Sequence, residues 1–187
     1  MLSGARPGQG YSLIELMVTI SILGVLTAAA IPTFGEWIAN SRVRTTAESI
    51  QNGLMLAKGE AVRRNAKVQF VLTSTAPTGA NVSTVVASTT GTGWMVRQYR
   101  ATGTYASDDF LQGRSVAEGG RNTSVAAGQS SFVFAGTARL SPLPAATVII
   151  NITGTGATRP LRVTVAPGSA IRMCDPALSI ATTTMGC

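Results

Sequence analysis

Cys174 and Cys187 are the only cysteines in a chain of 187 residues that contains no histidine. Without histidine, the commonest general base and the commonest metal ligand are both missing. Two cysteines with twelve residues between them do not make the closely spaced pairs of a zinc site. They fit a disulfide, which implies an oxidising compartment such as the periplasm or the cell exterior. Closing a loop of that length is worth roughly 3 kcal/mol in the chain-entropy account. Asp108 and Asp109 are adjacent carboxylates, and adjacent side chains on a strand point apart; the pair marks a turn or a helix cap. The glycine-rich pieces GTGW and GTGAT lack the Lys-Ser/Thr of a phosphate loop and the setting of a dinucleotide fingerprint. No nucleophile has a base near it. The sequence therefore predicts neither an enzyme nor a cofactor or metal site.

One carboxylate stands out for its surroundings. Glu15 lies at the start of an apolar run, GQGYSLIELMVTISILGVLTAAAIP, in which Leu16 to Ile31 are sixteen residues without a charge. Adding Tyr11 to Ile14 gives the ~20 residues that cross a ~30 Å hydrocarbon layer. A secretory signal peptide would use Arg6 as its basic start and Ala28-Ala29-Ala30 as its cleavage site. Glu15 inside the run, and helical periodicity continuing past Pro32, oppose that reading. An ordinary membrane anchor explains the length but leaves Glu15 as a liability of at least ~2.5–3.5 kcal/mol on insertion scales.

The elements that carry these residues follow from the pattern. Beyond Pro32, which should kink or thin the helix without having to end it, Val43, Ala47, Ile50, Leu54, Ala57 and Ala61 recur at steps of four and three. That is one face of an amphipathic helix. A helix from about Ser12 to about Asn65 is roughly 80 Å long, so its first half should protrude while its second half packs on a head. After Asn65 the pieces KVQFVLT, WMVRQY, SFVFAG, TVIINI, LRVTV and AIRMC alternate or are β-branched and read as short antiparallel strands. Thr73–Gly93 is expected to be a long loop with at most an edge strand at VSTVVAS, and Ala101–Gly128 a second loop. The class is α+β, a helix followed by segregated sheet.

Only 12% of residues are charged and 45% are hydrophobic, which excludes a disordered chain. The net charge is +7. From Lys67 onward nine basic residues face four acidic ones. Such a surface suits anionic company, and it equally suits a soluble face kept from self-association.

The first ten residues, MLSGARPGQG, followed by YSLIEL, resemble a type IV prepilin signal: a short hydrophilic leader ending in glycine, an aromatic residue, and a glutamate four places on. Tyr11 stands where most of that family has phenylalanine. The resemblance implies cleavage between Gly10 and Tyr11 by prepilin peptidase and methylation of the new Tyr11 amine. It gives Glu15 a purpose, since about 6 Å of helix separates the glutamate from that amine. In a filament the carboxylate would pair with a neighbouring subunit's amine, because an unpaired charge in an apolar bundle is costly. The segments FVFAGTARL and RPLRVTVAPGSAIRMCDP further resemble the GspH/FimT family of minor pilins and pseudopilins.

That resemblance implies a pilin-like fold, a long N-terminal helix packed against a C-terminal antiparallel sheet head. Its expected parts are a leader over 1–10, a helix over 11–65 (membrane and filament core at 11–31, amphipathic at 33–65) and a head over 66–187 with the disulfide loop 174–187. The implied role is a tip-proximal minor pilin that takes part in pilus assembly and priming. Its alternatives are a DNA-binding minor pilin for natural transformation and a minor pseudopilin of type II secretion. The implied partners are prepilin peptidase, other minor and major pilins, an inner-membrane assembly platform, and the membrane itself through the N-terminal helix. The implied place is a single pass in the inner membrane with the head in the periplasm, then an extracellular filament. DNA-binding members carry a Gly-Arg-x-Arg stretch, and the matching place here reads Ser169-Ala170-Ile171-Arg172. Losing one arginine removes a phosphate contact, and losing the glycine alters the turn. Arg159, Arg162 and Arg172, with Arg139 as an outlier, are the candidate anion contacts. Without interleaved aromatics they read equally as solvated arginines on a sheet.

Overall fold

A computed structural model describes residues 11–118 and 122–187, with the backbone alone for 29–33. In chain order the elements are α1 (Leu13–Arg64), β1 (Val68–Thr73), β2 (Gly93–Gln98), β3 (Phe110–Arg114), β4 (Thr123–Ala127), β5 (Ser131–Phe134), β6 (Val148–Gly154), β7 (Leu161–Val165) and β8 (Ile171–Cys174). The helix is 52 residues long and continues through position 32, about 78 Å of rise. It stops at Asn65, which adopts a left-handed conformation and returns its N–H to the carbonyls of Ala61 and Val62. Arg63 and Arg64 in the last turn complement the negative end of the helix dipole.

The strands divide between two antiparallel four-stranded sheets, ordered β3-β2-β1-β5 and β4-β6-β7-β8. Both lay their apolar faces on the second half of α1. Val43, Ala47, Ile50, Leu54, Ala57 and Ala61 are all fully buried there, in one core with Phe70, Leu72, Val96, Phe132, Ile150, Ile152, Val163 and Val165. The alanines on this stripe let two sheets approach a single helix. Gly53 takes that further: a Cβ there would lie 2.7 Å from the Phe70 ring and 2.8 Å from the Trp94 indole. These two rings stack with centroids 5.9 Å apart, and the indole N–H donates to the Ser49 hydroxyl at 2.8 Å.

Two strands lie inside the stretch 101–128 that the sequence pattern assigns to loop. β3 and β4 are edge strands of their sheets, so each buries little and carries a weak alternation. In β4 only Val125 is buried. In β3 the pattern is broken by Gly113, where a Cβ would meet the Pro77 ring at 2.7 Å. The stretch 73–93 is mostly irregular, with a short 3-10 turn at Gly79–Asn81 and a bridge between Thr73 and Ala87. It nevertheless has a core of its own. Val82 and Val85 pack with Met95, Tyr105 and Phe110 as a second cluster, covering the face of the first sheet that points away from α1. That cover explains why all six residues of β1 are buried.

A polar network sits under this cover. Arg97 is buried; it donates to the Gln69 amide oxygen at 2.9 Å and the Val82 carbonyl at 2.6 Å, and it lies 3.5 Å from the centre of the Tyr105 ring. Burial pulls its pKa downward, opposed by Tyr105 and by the nearby Asp109 carboxylate, and the cation–π contact and neutral acceptors add to the support of the charge.

Candidate functional site: the apolar arm and the base of the head

Among the described residues the first half of α1 packs on no other part of the chain. Every residue from Tyr11 to Ala28 is exposed, and ten of those from Leu13 to Leu26 are large and hydrophobic. The polar side chains of this arm are few, and most are already satisfied. Thr19, Ser21 and Thr27 donate their hydroxyls to the carbonyls of Leu16, Met17 and Leu23 at 2.7–2.8 Å. Such back-bonding hides the hydroxyl from the surroundings, so the arm presents an almost wholly apolar surface. Glu15 is the exception. Among the described residues it has no hydrogen-bond or ion-pair partner.

The arm begins two residues, about half a turn, later than a helix starting at Tyr11 would. Tyr11 and Ser12 precede α1, and Ser12 is extended. The Tyr11 backbone therefore does not continue the helical rise toward Glu15. Gly10 and the rest of the leader 1–10 lie outside the described residues. So do the side chains of 29–31 at the end of the expected span 11–31. Among the described residues no helix is long and apolar enough to cross a membrane.

Where the arm meets the head, α1 is clamped to the β6–β7 hairpin. The Asn40 side-chain oxygen accepts the backbone N–H groups of Thr158 and Arg159, each at 3.0 Å, and the Thr158 hydroxyl donates to Glu36 at 2.6 Å. A Cβ on Gly154 would come within 2.8 Å of Val43, so the hairpin lies directly on the helix. Sequence reasoning missed this clamp. Its signal was the i, i+4 pair Glu36 and Asn40, polar residues that continue the stripe of Val43 and Ala47 toward the N-terminus.

The C-terminal loop lies at the same level. Cys174 and Cys187 are bonded, with Cα atoms 5.3 Å apart. Asp175 N–H donates to the Met185 carbonyl at 2.7 Å, and Arg172 donates to the carbonyls of Thr184 and Gly186. The loop therefore covers part of the β8 edge, which would otherwise offer unpaired backbone groups.

The candidate arginines separate. Arg162 and Arg172 share the outer face of the second sheet, because Arg162 pairs across from Cys174 and Arg172 from Thr164. Both are occupied within the chain, Arg162 by the Asn151 side chain at 2.8 Å and Arg172 by the C-terminal loop. Arg159 precedes β7 and lies at the hairpin tip beside α1, and Arg139 is exposed in the loop after β5. At the β7–β8 turn, Ser169 has φ 61°, a conformation that favours glycine. Its hydroxyl accepts the Leu140 N–H at 2.8 Å and its carbonyl accepts the Lys58 ammonium at 2.8 Å, which hold the serine there.

Asp108 and Asp109 fall in a 3-10 turn. Asp109 is 1% exposed, is gripped by Arg100 through three hydrogen bonds of 2.6–2.9 Å and accepts the Ala106 N–H at 2.9 Å. Arg100 beside it holds its carboxyl below the usual carboxylate range. The pair is a loop clip and not an acid–base couple. Among the described residues no group of side chains could hold a metal ion.

The likeness to known proteins follows the same division. The chain is 34% identical over 64 residues to a type IV major fimbrial protein, FimA, of Dichelobacter nodosus, covering 28% of this chain and 40% of that one. Another FimA from the same organism is 40% identical over 55 residues, covering 29% and 30%. The chain thus spans well under half the length of the curated relatives it matches. In solved structures it is similar to the type IV minor pilin FimU of Pseudomonas aeruginosa, with a TM-score of 0.54 and 16% identity over 71% of this chain and 88% of that one. That likeness is one of fold. The family model of the prokaryotic N-terminal methylation motif matches residues 6–31, the arm and the leader before it. The model of the type II transport protein GspH matches residues 46–169, which takes in most of the buried half of α1 and the strands β1 to β7. With well over half of its length so matched, the chain belongs to the GspH family.

Proposed function

We propose that the protein is a minor pilin made as a membrane-inserted precursor. It is processed after Gly10 by prepilin peptidase, methylated at Tyr11 and built into a type IV filament as a tip-proximal subunit that primes assembly. Its work is association and not catalysis. The observation that carries this reading is the arm: ten large apolar side chains exposed to solvent, hydroxyls folded back on the backbone, and a lone unpartnered carboxylate at Glu15. Burying such side chains is worth about 1.5–3 kcal/mol each, so the arm is stable only in lipid or among other helices. In the membrane Glu15 lies toward the end of the arm and reaches the headgroups. In the filament core it pairs with the Tyr11 amine of a neighbour, which penalises any register that leaves it alone. Inner-membrane insertion, a periplasmic head and contact with major and minor pilins and their assembly platform all follow from this reading. The disulfide fits the oxidising side of that membrane.

Replacing Glu15 tests it. Glu15→Val is expected to fractionate with the membrane like the parent chain while its amount in sheared filaments falls at least about tenfold, as a missing buried charge pair implies. Unchanged incorporation would refute the role. A second reading, a minor pseudopilin of type II secretion, is favoured by the description of the matched family, the type II transport protein GspH. Deleting the gene separates the two, since loss of surface pili and loss of protein export are different phenotypes. The DNA-uptake alternative draws little from Arg162 and Arg172, whose guanidinium groups already donate within the chain.

A further inference from the structure

The uncharged stretch of α1 from Leu16 to Gly35 is twenty residues, about 30 Å of helix, which matches a hydrocarbon layer. If that stretch lies in the bilayer, as the proposed function has it, the next turn lies at the outer headgroups. Phe34 and Trp37 occupy that level, exposed, in edge contact at 5.9 Å, and aromatic side chains collect at this depth of a membrane. Beside Trp37 opens a cleft of about 410 Å³ between Asn40 and Arg44 of α1, Arg159 and Leu161 of the hairpin, and the C-terminal loop.

That loop is unusual for a surface segment. Leu178, Ile180 and Met185 are 44%, 57% and 50% exposed, although the segment is held by the disulfide, by Arg172 and by the pairing of Asp175 with Met185. Leu178 and Met185 line the same cleft as Trp37, so they stand at the level where the arm leaves the head. The acids nearby are engaged locally: Glu36 accepts the Thr158 hydroxyl, Glu48 pairs with Arg44, and Asp175 accepts the Ala177 N–H. Among the described residues Arg42 and Arg159 enter no ion pair, which leaves two guanidinium groups for phosphates at the same height.

We propose that the disulfide-bonded C-terminal loop is a membrane foot: in the unassembled subunit Leu178, Ile180 and Met185 sit in the interfacial layer of the bilayer beside Trp37, with Arg159 and Arg42 on lipid phosphates. This rests on the membrane-inserted reading above. The foot holds the head against the membrane and fixes its orientation about the arm. It has to lift when the subunit enters a filament, so recruitment competes with lipid for this surface.

The test uses the full chain in phosphatidylcholine vesicles, with flotation to report insertion and peroxide oxidation of methionines, read by mass spectrometry, to report the foot. Met55, 45% exposed on the upper part of α1, is the internal control. Burying about 60 Å² of apolar surface sustains a docked-to-undocked ratio of roughly ten, so Met185 is expected to oxidise roughly tenfold more slowly than Met55 in sparsely loaded vesicles. The double variant Leu178→Ser, Ile180→Ser should still float and should oxidise at Met185 as fast as at Met55. A parent chain that floats yet oxidises equally at both methionines overturns the foot and leaves the insertion reading standing. Slowing of Met185 only at high protein density means that a second copy covers the loop, which also overturns it. A chain that does not float removes the insertion reading, and the foot with it.

Discussion

Leu23 and Leu54 lie on one unbroken helix, yet Leu23 is 63% exposed and Leu54 is fully buried. The two halves of α1 differ in pattern before they differ in environment. The second half carries its apolar residues on one stripe, with Arg44, Glu48, Glu60 and Arg63 kept off it, and two sheets occupy that stripe. The first half is apolar on all sides, which on a soluble protein would be an unsolved packing problem. The difference teaches that the two halves are stabilised by different partners: the second by its own chain, the first by whatever the chain is inserted into. It also explains why the two matched family models divide the helix between them.

Paired substitutions on the two halves give the largest effect. Leu54→Ala should cost the full chain about 2–5 kcal/mol in a denaturant or thermal melt in detergent, whereas Leu23→Ala should stay within about 0.5 kcal/mol of the parent in the same measurement. A comparable loss at both positions would mean that the arm folds back on the head, and the contrast would be broken. Reducing the Cys174–Cys187 bond should lower head stability by about 3 kcal/mol while leaving flotation with vesicles unchanged. A reduced chain that no longer floats would tie the two halves together.

The smallest effect sharpens the contrast at the upper end of α1. There Arg63 and Arg64 bond Glu60 at 2.7–3.0 Å and lower its pKa from 4.5 to about 2. A carboxylate depressed in the folded state contributes stability above its unfolded pKa and loses it as pH falls through the folded value. The window is therefore from about pH 4.5 down to about pH 2. Because the arginines are largely solvated, the melting temperature should fall across that window by only roughly 2 °C more than in Glu60→Gln. No difference between the parent and Glu60→Gln would show that solvent screening removes the contribution altogether.

Much of the architecture is legible in the residues. The stripe Val43 to Ala61 could be read because a helix packed by sheets on one side repeats every three or four residues. Six strands, β1, β2 and β5 to β8, could be read because they bury alternating or β-branched side chains on a core, the edge strands β5 and β8 among them. β3 and β4 were not legible, since β3 buries none of its residues fully and is interrupted by Gly113, and β4 buries only Val125. The cover formed by Val82 and Val85 was not legible either, because its small cluster forms only when residues 82, 95, 105 and 110 meet across three segments. At the candidate site, Glu15 was visible from charge alone in an apolar run. The clamp of Asn40 on Thr158 and Arg159 was invisible, because its two sides are 118 and 119 residues apart.

By itself the sequence determines that this chain has a helix longer than any core it could build, an isolated acid near the apolar end, a β-rich remainder and one possible intrachain disulfide. Those follow from local periodicity, charge and a count of cysteines. Only the tertiary structure decides that two sheets share the helix, that Arg162 and Arg172 are occupied while Arg159 stands apart, and that the C-terminal loop closes over the β8 edge at the level where the arm departs. Each of those depends on contacts between residues distant in the chain, whose energies depend on mutual placement and leave little periodic trace in the residues that make them.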